Sequence, residues 1–249
     1  MKNSFCIVIP LYNEIPKEYE KVTLNQLNNV IKNKNYNVFA IIPHGMNINN
    51  YKQYTYIKSF IDESPFYFKS TSTYSQLLLS HFFYKQFNAY NMLYIFQTDV
   101  YIFKDEFQKY ADTNFDYIGA PIIGYGSDWK HVPQIGNGGF SLRKISTFID
   151  LTKPETLQEL GISDNDIISQ KYEDLFICDT LKLKYELSMP TVSDALKFAW
   201  DRNSREIYNN ITKELPMAAH WYNHQIEFWS TIIPELKNNN TLITECINL

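Results

Sequence analysis

Between residues 5 and 99, short unbroken apolar runs alternate with stretches whose apolar residues recur at helical spacing. Few folds accept that pattern. "FCIVIP" (5–10), "YNVFAIIP" (36–43) and "MLYIFQTD" (92–99) are the clearest runs, with "FYFK" (66–69) a shorter one. A continuous apolar run of this length suits a strand buried on both faces, as in a parallel sheet. Between the runs, Val22, Leu27, Val30 and Ile31 fall on one helix face. "YSQLLLSHFFYKQF" (74–87) predicts another helix, capped by Ser72 or Thr73. The pattern predicts an α/β fold: one open, mostly parallel sheet flanked by helices.

The second half is less regular. "FDYIGAP" (115–121) predicts a strand entering a turn, and the polar, glycine-bearing residues 122–137 a surface loop. "GNGGFSLRK" (136–144) predicts a turn and then a strand. The chain turns helical from about Tyr172, Ser193 and Asp194 could cap "ALKFAW", and "HQIEFWSTIIPEL" predicts a last helix packing Phe228, Trp229, Ile232 and Leu236. No repeat or linker interrupts the chain, so residues 1–249 are expected to form a single domain.

Composition excludes some classes of function. The net charge is −4 and no run of Lys or Arg stands out, so the clustered basic face of a nucleic-acid binder is not expected. Cys6, Cys178 and Cys246 are odd in number, far apart and set among apolar neighbours. They read as buried thiols of a reducing compartment. The N-terminal apolar run stops at Pro10, too short for a signal peptide, and no stretch has the length of a membrane span. The expectation is a cytoplasmic protein.

Asp99 poses the chemical question. It would lie at the carboxyl end of the run 92–99, the edge where open α/β sheets bind ligands. Gln97, two residues earlier, would share its face. A carboxylate in apolar surroundings must be paired, hydrogen-bonded or on a metal. One reading has it accepting backbone N–H bonds in a strand-to-helix turn. The other gives it a hard divalent cation whose remaining ligands are waters and phosphate oxygens. "IVIPLYNE" (7–14) likewise leaves Pro10, Leu11, Tyr12 and Glu14 near the carboxyl edge of the first strand, a slot for a nucleotide base.

Taken together, "IVIPLYNE" and "FQTDVYIF" resemble the opening strand and the Asp-x-Asp segment of GT-A glycosyltransferases. "DYIGAP", "GNGGFSLRK", "EDLFICDTL" and "LPMAAHWYNH" resemble, in this order, segments of a bacterial family with a glycosyltransferase-like domain. The resemblance covers nearly the whole chain, with one departure: Gln97 stands where the first acid of Asp-x-Asp is usual.

The resemblance implies a GT-A-like fold, with residues 1 to about 103 as nucleotide-binding half and about 104–249 as sugar and acceptor half. It implies transfer of a hexose from a nucleotide sugar, UDP-linked, to a hydroxyl of a glycan acceptor, with inversion, in bacterial surface polysaccharide synthesis. A seat at the inner face of the membrane is compatible with that. The cofactor implied is Mn²⁺ or Mg²⁺, held by Asp99 and His220. Pro10, Leu11, Tyr12, Glu14, Gln97, Asp99, Asn137, Gly138 and Gly139 would hold the donor, and Asp174, or its neighbour Glu173, would be the catalytic base.

Each assignment has a plainer counterpart. The glycines could make a tight turn before a strand. The acids could stabilise a helix N-terminus. His220 could be a packed histidine beside Trp221. Two other functions stay open: a non-catalytic nucleotide-sugar or glycan-binding relative, which Gln97 favours, and a sugar nucleotidyltransferase. The latter normally shows a glycine-rich phosphate loop after the first strand, and "LYNEIPKEYE" has no glycine.

Overall fold

The computed structural model describes residues 3–113, 115–122, 135–160, 172–237, 242 and 244. Among them six strands make a central sheet: β1 (Asn3–Pro10), β2 (Val38–Pro43), β3 (Ile57–Glu63), β4 (Tyr90–Phe96), β6 (Tyr117–Ala120) and β7 (Asn137–Lys144). Their order is β3-β2-β1-β4-β7-β6. β3, β2, β1 and β4 run parallel, while β7 is antiparallel to both β4 and β6. Three two-residue strands, β5 (Tyr101–Ile102), β8 (Ala199–Trp200) and β9 (Ala218–Ala219), form a second sheet in the order β5-β9-β8.

The apolar runs are continuous because both sheet faces are covered. Along β1, Phe5, Ile7 and Ile9 enter one core, which also holds Leu24 and Leu27 of helix α1 (Glu18–Ile31). Cys6 and Val8 enter the other, beneath α2 (Thr71–Leu78) and α3 (His81–Gln86). A third cluster around Trp200, Tyr222 and Trp229 seats the small sheet.

Several expectations shift. The third strand is "IKSFIDE", an edge strand whose polar residues hid it, and "FYFK" belongs to the 3-10 turn Pro65–Phe68 capped by Ser64. The helix expected over 74–87 is two helices. Its cap is Ser70, whose hydroxyl accepts from the Thr73 N–H, and Ser80 is extended (φ −87°, ψ 136°), which breaks the run. Thr191, not Ser193 or Asp194, caps the helix Val192–Phe198, and Ala199 and Trp200 leave it as β8. The last segment is broken into the short turns Tyr222–Gln225, Ile226–Trp229 and Pro234–Leu236. Phe228, Trp229 and Leu236 are buried as expected. Cys6 and Cys178 are buried free thiols. Cys246 and most of the loop expected over 122–137 lie outside the described residues.

Candidate active site

The topology gathers the site at one sheet edge. β1 and β4 run parallel, so both carboxyl ends reach that edge; β7 runs the other way and brings its first residues, Asn137 to Gly139, to the same place. β4 itself stops at Phe96. Gln97 and Asp99 therefore meet through a turn rather than as alternate residues of a strand. The Gln97 N–H donates to the Gly139 carbonyl (2.9 Å) and the Val100 N–H to the Gln97 carbonyl (3.1 Å). The Thr98 hydroxyl donates to Oε1 of the buried Glu20 (2.6 Å), pinning the turn to α1.

The small sheet supplies the partners. Tyr101 pairs with Ala219 in antiparallel register and Trp200 pairs with Ala219 in parallel register. The next residues, His220 and Asp201, are thereby set side by side next to the 97–100 turn. The His220 Nδ1 lies 2.9 Å from Asp201 Oδ1, and Nε2 lies 3.1 Å from Gln97 Oε1 and 3.3 Å from Asp99 Oδ1. Burial alone would lower the imidazole pKa, but the Asp99 charge and the Asp201 bond raise it to about 10. Asp99 is paired with His220, so its setting is not purely apolar.

Asp99, Gln97 and, once a cation displaces its Nε2 proton, His220 are each able to offer a ligand atom to a divalent cation. Asp201 holds a proton on Nδ1, which fixes the ring so that Nε2 faces an amide oxygen and a carboxylate, the second-sphere arrangement common behind metal-bound histidines. Among the described residues no group of three or more His, Cys, Asp or Glu side chains could by itself hold a metal ion. The protein would supply few ligands and a substrate the rest, as is usual for phosphate-bound cations.

A cavity of about 480 Å³ opens beside this pair, lined by Gln97, Asn137 to Gly139, Glu173, Asp174, Asp201, Arg202 and His220, with Thr71, Tyr74, Tyr172 and Trp221 around them. The glycines have an internal cause. A Cβ on Gly138 would meet Glu173 Oε1 at 2.6 Å, and one on Gly139 would sit on the His220 imidazole. Close approach of the protein's own side chains, rather than of a sugar, demands glycine at both positions.

Glu173 and Asp174 open helix α4, Glu173–Phe176 in its α-helical part. Glu173 is committed inward. Arg143 of β7, fully buried, donates to its Oε1 (2.9 Å), and the Ser75 hydroxyl donates to its Oε2 (2.9 Å). Arg143 also donates to the Tyr84 hydroxyl (3.0 Å) and to Ser141 Oγ (3.2 Å). Asp174 accepts from the Gly138 N–H (3.0 Å) and the Leu175 N–H (2.8 Å), leaving lone pairs toward the cavity. Although Asp174 stands at the start of a helix, burial and the Glu173 charge push its pKa up to about 7.

The other expected nucleotide residues sit elsewhere. Pro10 pairs with Ile41, Leu11 is buried, and neither lines the cavity. The Tyr12 ring packs edge-on against Phe68 and Tyr74, both at 5.8 Å, instead of lying open to a base. Glu14 is exposed and accepts from the Asn47 N–H.

Sequence reasoning missed Asp201, Arg202, Arg143 and Tyr74. Arg202 is the one Lys or Arg among the described residues lining the cavity. Its guanidinium lies 3.7 Å from the Trp221 ring centre and the His224 ring stacks at 4.4 Å. Two groups that close cannot share a face, so the indole is sandwiched. Trp221 also holds a left-handed backbone (φ 56°), uncommon for a bulky residue. The adjacent pair "DR" after a buried "AW" was the only signal available.

Comparison with known proteins agrees with this architecture. The family model described as "Protein of unknown function (DUF5672)" matches residues 57–220. The chain belongs to the DUF5672 family. No curated protein matches it. Among solved structures, a glycosyltransferase involved in the glycosylation of the major capsid of PBCV-1 is similar at TM-score 0.53 and 13% identity, over 87% of this chain and 91% of that one. The galactosyltransferase LgtC, solved with donor and acceptor sugar analogs, is similar at TM-score 0.52 and 12% identity, over 86% of each. The glycosyltransferase GlyE of Streptococcus pneumoniae TIGR4 is similar at TM-score 0.53 and 12% identity, over all of this chain and 64% of that one. This DUF5672 chain therefore has a GT-A-like fold. Among the described residues no helix is long and apolar enough to cross a membrane.

Proposed function

We propose that this DUF5672 protein transfers a sugar from a nucleotide-sugar donor, UDP-linked, to an acceptor hydroxyl. The observation that carries the reading is that His220, oriented by Asp201 and set against Gln97 and Asp99, lines the same cavity as Asp174. The first group suits a phosphate-bound cation, the second a proton acceptor, and the space between them a sugar.

Residues up to about 103 would hold the nucleotide, at the edge where the parallel strands β1 and β4 end. A divalent metal, Mn²⁺ or Mg²⁺, held by Asp99 and His220 would place positive charge on the leaving diphosphate. Arg202 adds a fixed cation to the same cavity, kept in place by Trp221. Asn137 offers its amide to sugar hydroxyls, though its Oδ1 already accepts from the Gly139 N–H (2.9 Å). Asp174 takes the proton of the acceptor hydroxyl as that oxygen attacks the anomeric carbon, and the bond to the diphosphate oxygen breaks, inverting the centre. A group with a pKa near neutrality is a more effective base than an ordinary aspartate. Glu173 does not share this role; it holds α4 against Arg143. A hydroxyl of a bacterial surface glycan is the acceptor class that the motifs favour.

A non-catalytic relative is the second reading, favoured by the neutral Gln97 and by the closed Gln97–His220–Asp201 network. One experiment separates the two. The protein is incubated with UDP-glucose, UDP-galactose and GDP-mannose, each with Mn²⁺, and nucleoside diphosphate release and melting temperature are measured. A hundredfold excess of a true donor over its Kd should stabilise by about 2.7 kcal/mol. A binder would be stabilised without release. If no nucleotide sugar shifts the melting temperature or is turned over, glycosyl transfer is the wrong reading.

A further inference from the structure

Among the described residues three phenol or indole rings line the cavity, those of Tyr74, Tyr172 and Trp221. Two are covered by the protein itself. Tyr74 is buried with its ring against Tyr12, and Trp221 lies between Arg202 and His224. Tyr172 is 54% exposed, and among the described residues no ring or cation stacks on it and its hydroxyl bonds to nothing. A residue that both lines the cavity and meets solvent stands at the cavity mouth. Its place in the chain is a second, independent sign. Tyr172 is the N-cap of α4, extended at φ −62° and ψ 138°, and its side chain makes no cap bond. That position favours Ser, Thr, Asp or Asn, whose oxygens satisfy a free N–H of the first turn. The chain gives up a cap there and sets an open ring in its place. Positions where a local preference is given up without an internal gain tend to be functional. The backbone is fixed on the side of α4: the Phe176 N–H donates to the Tyr172 carbonyl (3.1 Å) and the Glu173 N–H to Ser75 Oγ (3.2 Å).

What the ring meets follows from its neighbour. Asp174, two residues on, lines the same cavity. Under the glycosyl-transfer reading, on which this step rests, Asp174 takes the proton of the acceptor hydroxyl. An acceptor that enters from solvent to reach Asp174 therefore passes the mouth that Tyr172 lines. We propose that Tyr172 is an acceptor-binding residue, and that a pyranose ring of the glycan acceptor lays its apolar C–H face on the phenol while one of its hydroxyls reaches Asp174. A β-gluco- or β-galactopyranoside gathers C–H bonds on one face of the ring, and their positive hydrogens suit the negative face of an aromatic ring. The contact takes apolar area of both partners out of water. The sugar hydroxyls stay at the rim of the stack, where water or the protein satisfies them.

The test compares Tyr172→Ala and Tyr172→Phe with the parent, each as the full chain. Methyl β-glucopyranoside, methyl β-galactopyranoside and the open-chain polyol sorbitol are titrated by saturation-transfer difference NMR with UDP and Mn²⁺ present. UDP affinity is measured by calorimetry, alongside melting temperatures. In the parent at least one pyranoside should take up saturation mainly at the C–H positions of one ring face, and sorbitol should take up none. Tyr172→Ala should raise the Kd of that pyranoside about three- to tenfold, the worth of one aromatic contact, and Tyr172→Phe should keep it. UDP affinity and melting temperature should not move, because the ring is assigned to neither the nucleotide nor the core. Unchanged pyranoside binding in Tyr172→Ala, an equal loss of UDP affinity, or the same loss in Tyr172→Phe overturns the proposal while leaving glycosyl transfer intact. Absence of pyranoside binding in a parent that binds UDP overturns it as well, and so does a marked fall in melting temperature, since the ring would then serve the protein itself. If the parent neither binds UDP nor turns over a nucleotide sugar, the glycosyl-transfer reading falls and the proposal falls with it.

Discussion

The His220 Nε2 lies 3.3 Å from Asp99 Oδ1, and Asp201 stands behind the imidazole at 2.9 Å. The three come from separate stretches of chain and meet only at the edge of a sheet of two-residue strands. Asp201 neither lines up with a motif nor touches the proposed cation, yet it decides which way His220 faces. Loss of such an outer partner typically weakens metal binding about 10–100-fold. Asp201→Ala should therefore lower Mn²⁺ affinity by that order in electron paramagnetic resonance titrations with UDP present. Unchanged affinity in a folded variant would remove the metal role from His220.

Gly139 offers an independent probe of the same imidazole. A Cβ there would occupy the position of the His220 ring, so Gly139→Ala should displace it. The expected result is loss of most Mn²⁺ binding together with about 1–3 kcal/mol of stability, the usual cost of overpacking. Full retention of Mn²⁺ binding would show that His220 is not needed for it.

Asp174 gives a pH signature with a defined sign. Its carboxyl pKa is raised in the native chain, to about 7, so the native state binds the proton more tightly than the unfolded chain does. The associated stability is fully present below the unfolded value of about 4 and is lost as pH rises through about 7. Asp174→Asn lacks that loss. Its melting temperature should gain on the parent's between about pH 4 and pH 7 and level off above that, and a constant difference across the range would contradict the shift. In turnover the same group works as the ionised base, so parent activity should climb through about pH 7, and the variant should lose about 10²–10⁴-fold of it.

Arg143 and Glu173 form a buried ion pair, 0% and 6% exposed. Arg143→Ala leaves an unpaired carboxylate and should cost about 3–5 kcal/mol in urea denaturation. The double variant Arg143→Met with Glu173→Leu removes both charges and should recover most of that loss. A double variant as unstable as the single one would mean that the arginine acts through Tyr84 and Ser141 instead.

The sequence by itself determined most of the central sheet, the polar edge strand β3 excepted. Strands such as β1 and β4 are buried on both faces, so their composition announces them without any knowledge of neighbours. Motif resemblance pointed to Asp99, His220 and Asp174, of which His220 and Asp174 line one cavity and Asp99 lies beside His220. It did not foresee what holds them. β5, β8 and β9 are two residues long, too short for any periodicity, and their pairing alone brings Asp201 to His220. The glycines looked like room for a ligand, but the space their missing side chains leave is filled by Glu173, Arg143 and His220. Whether Asp174 or Glu173 faced the cavity was likewise undecidable from adjacency, because a buried arginine on a distant strand chooses between them. Such choices depend on desolvation and on partners remote in sequence, and both come into being only when the chain is packed.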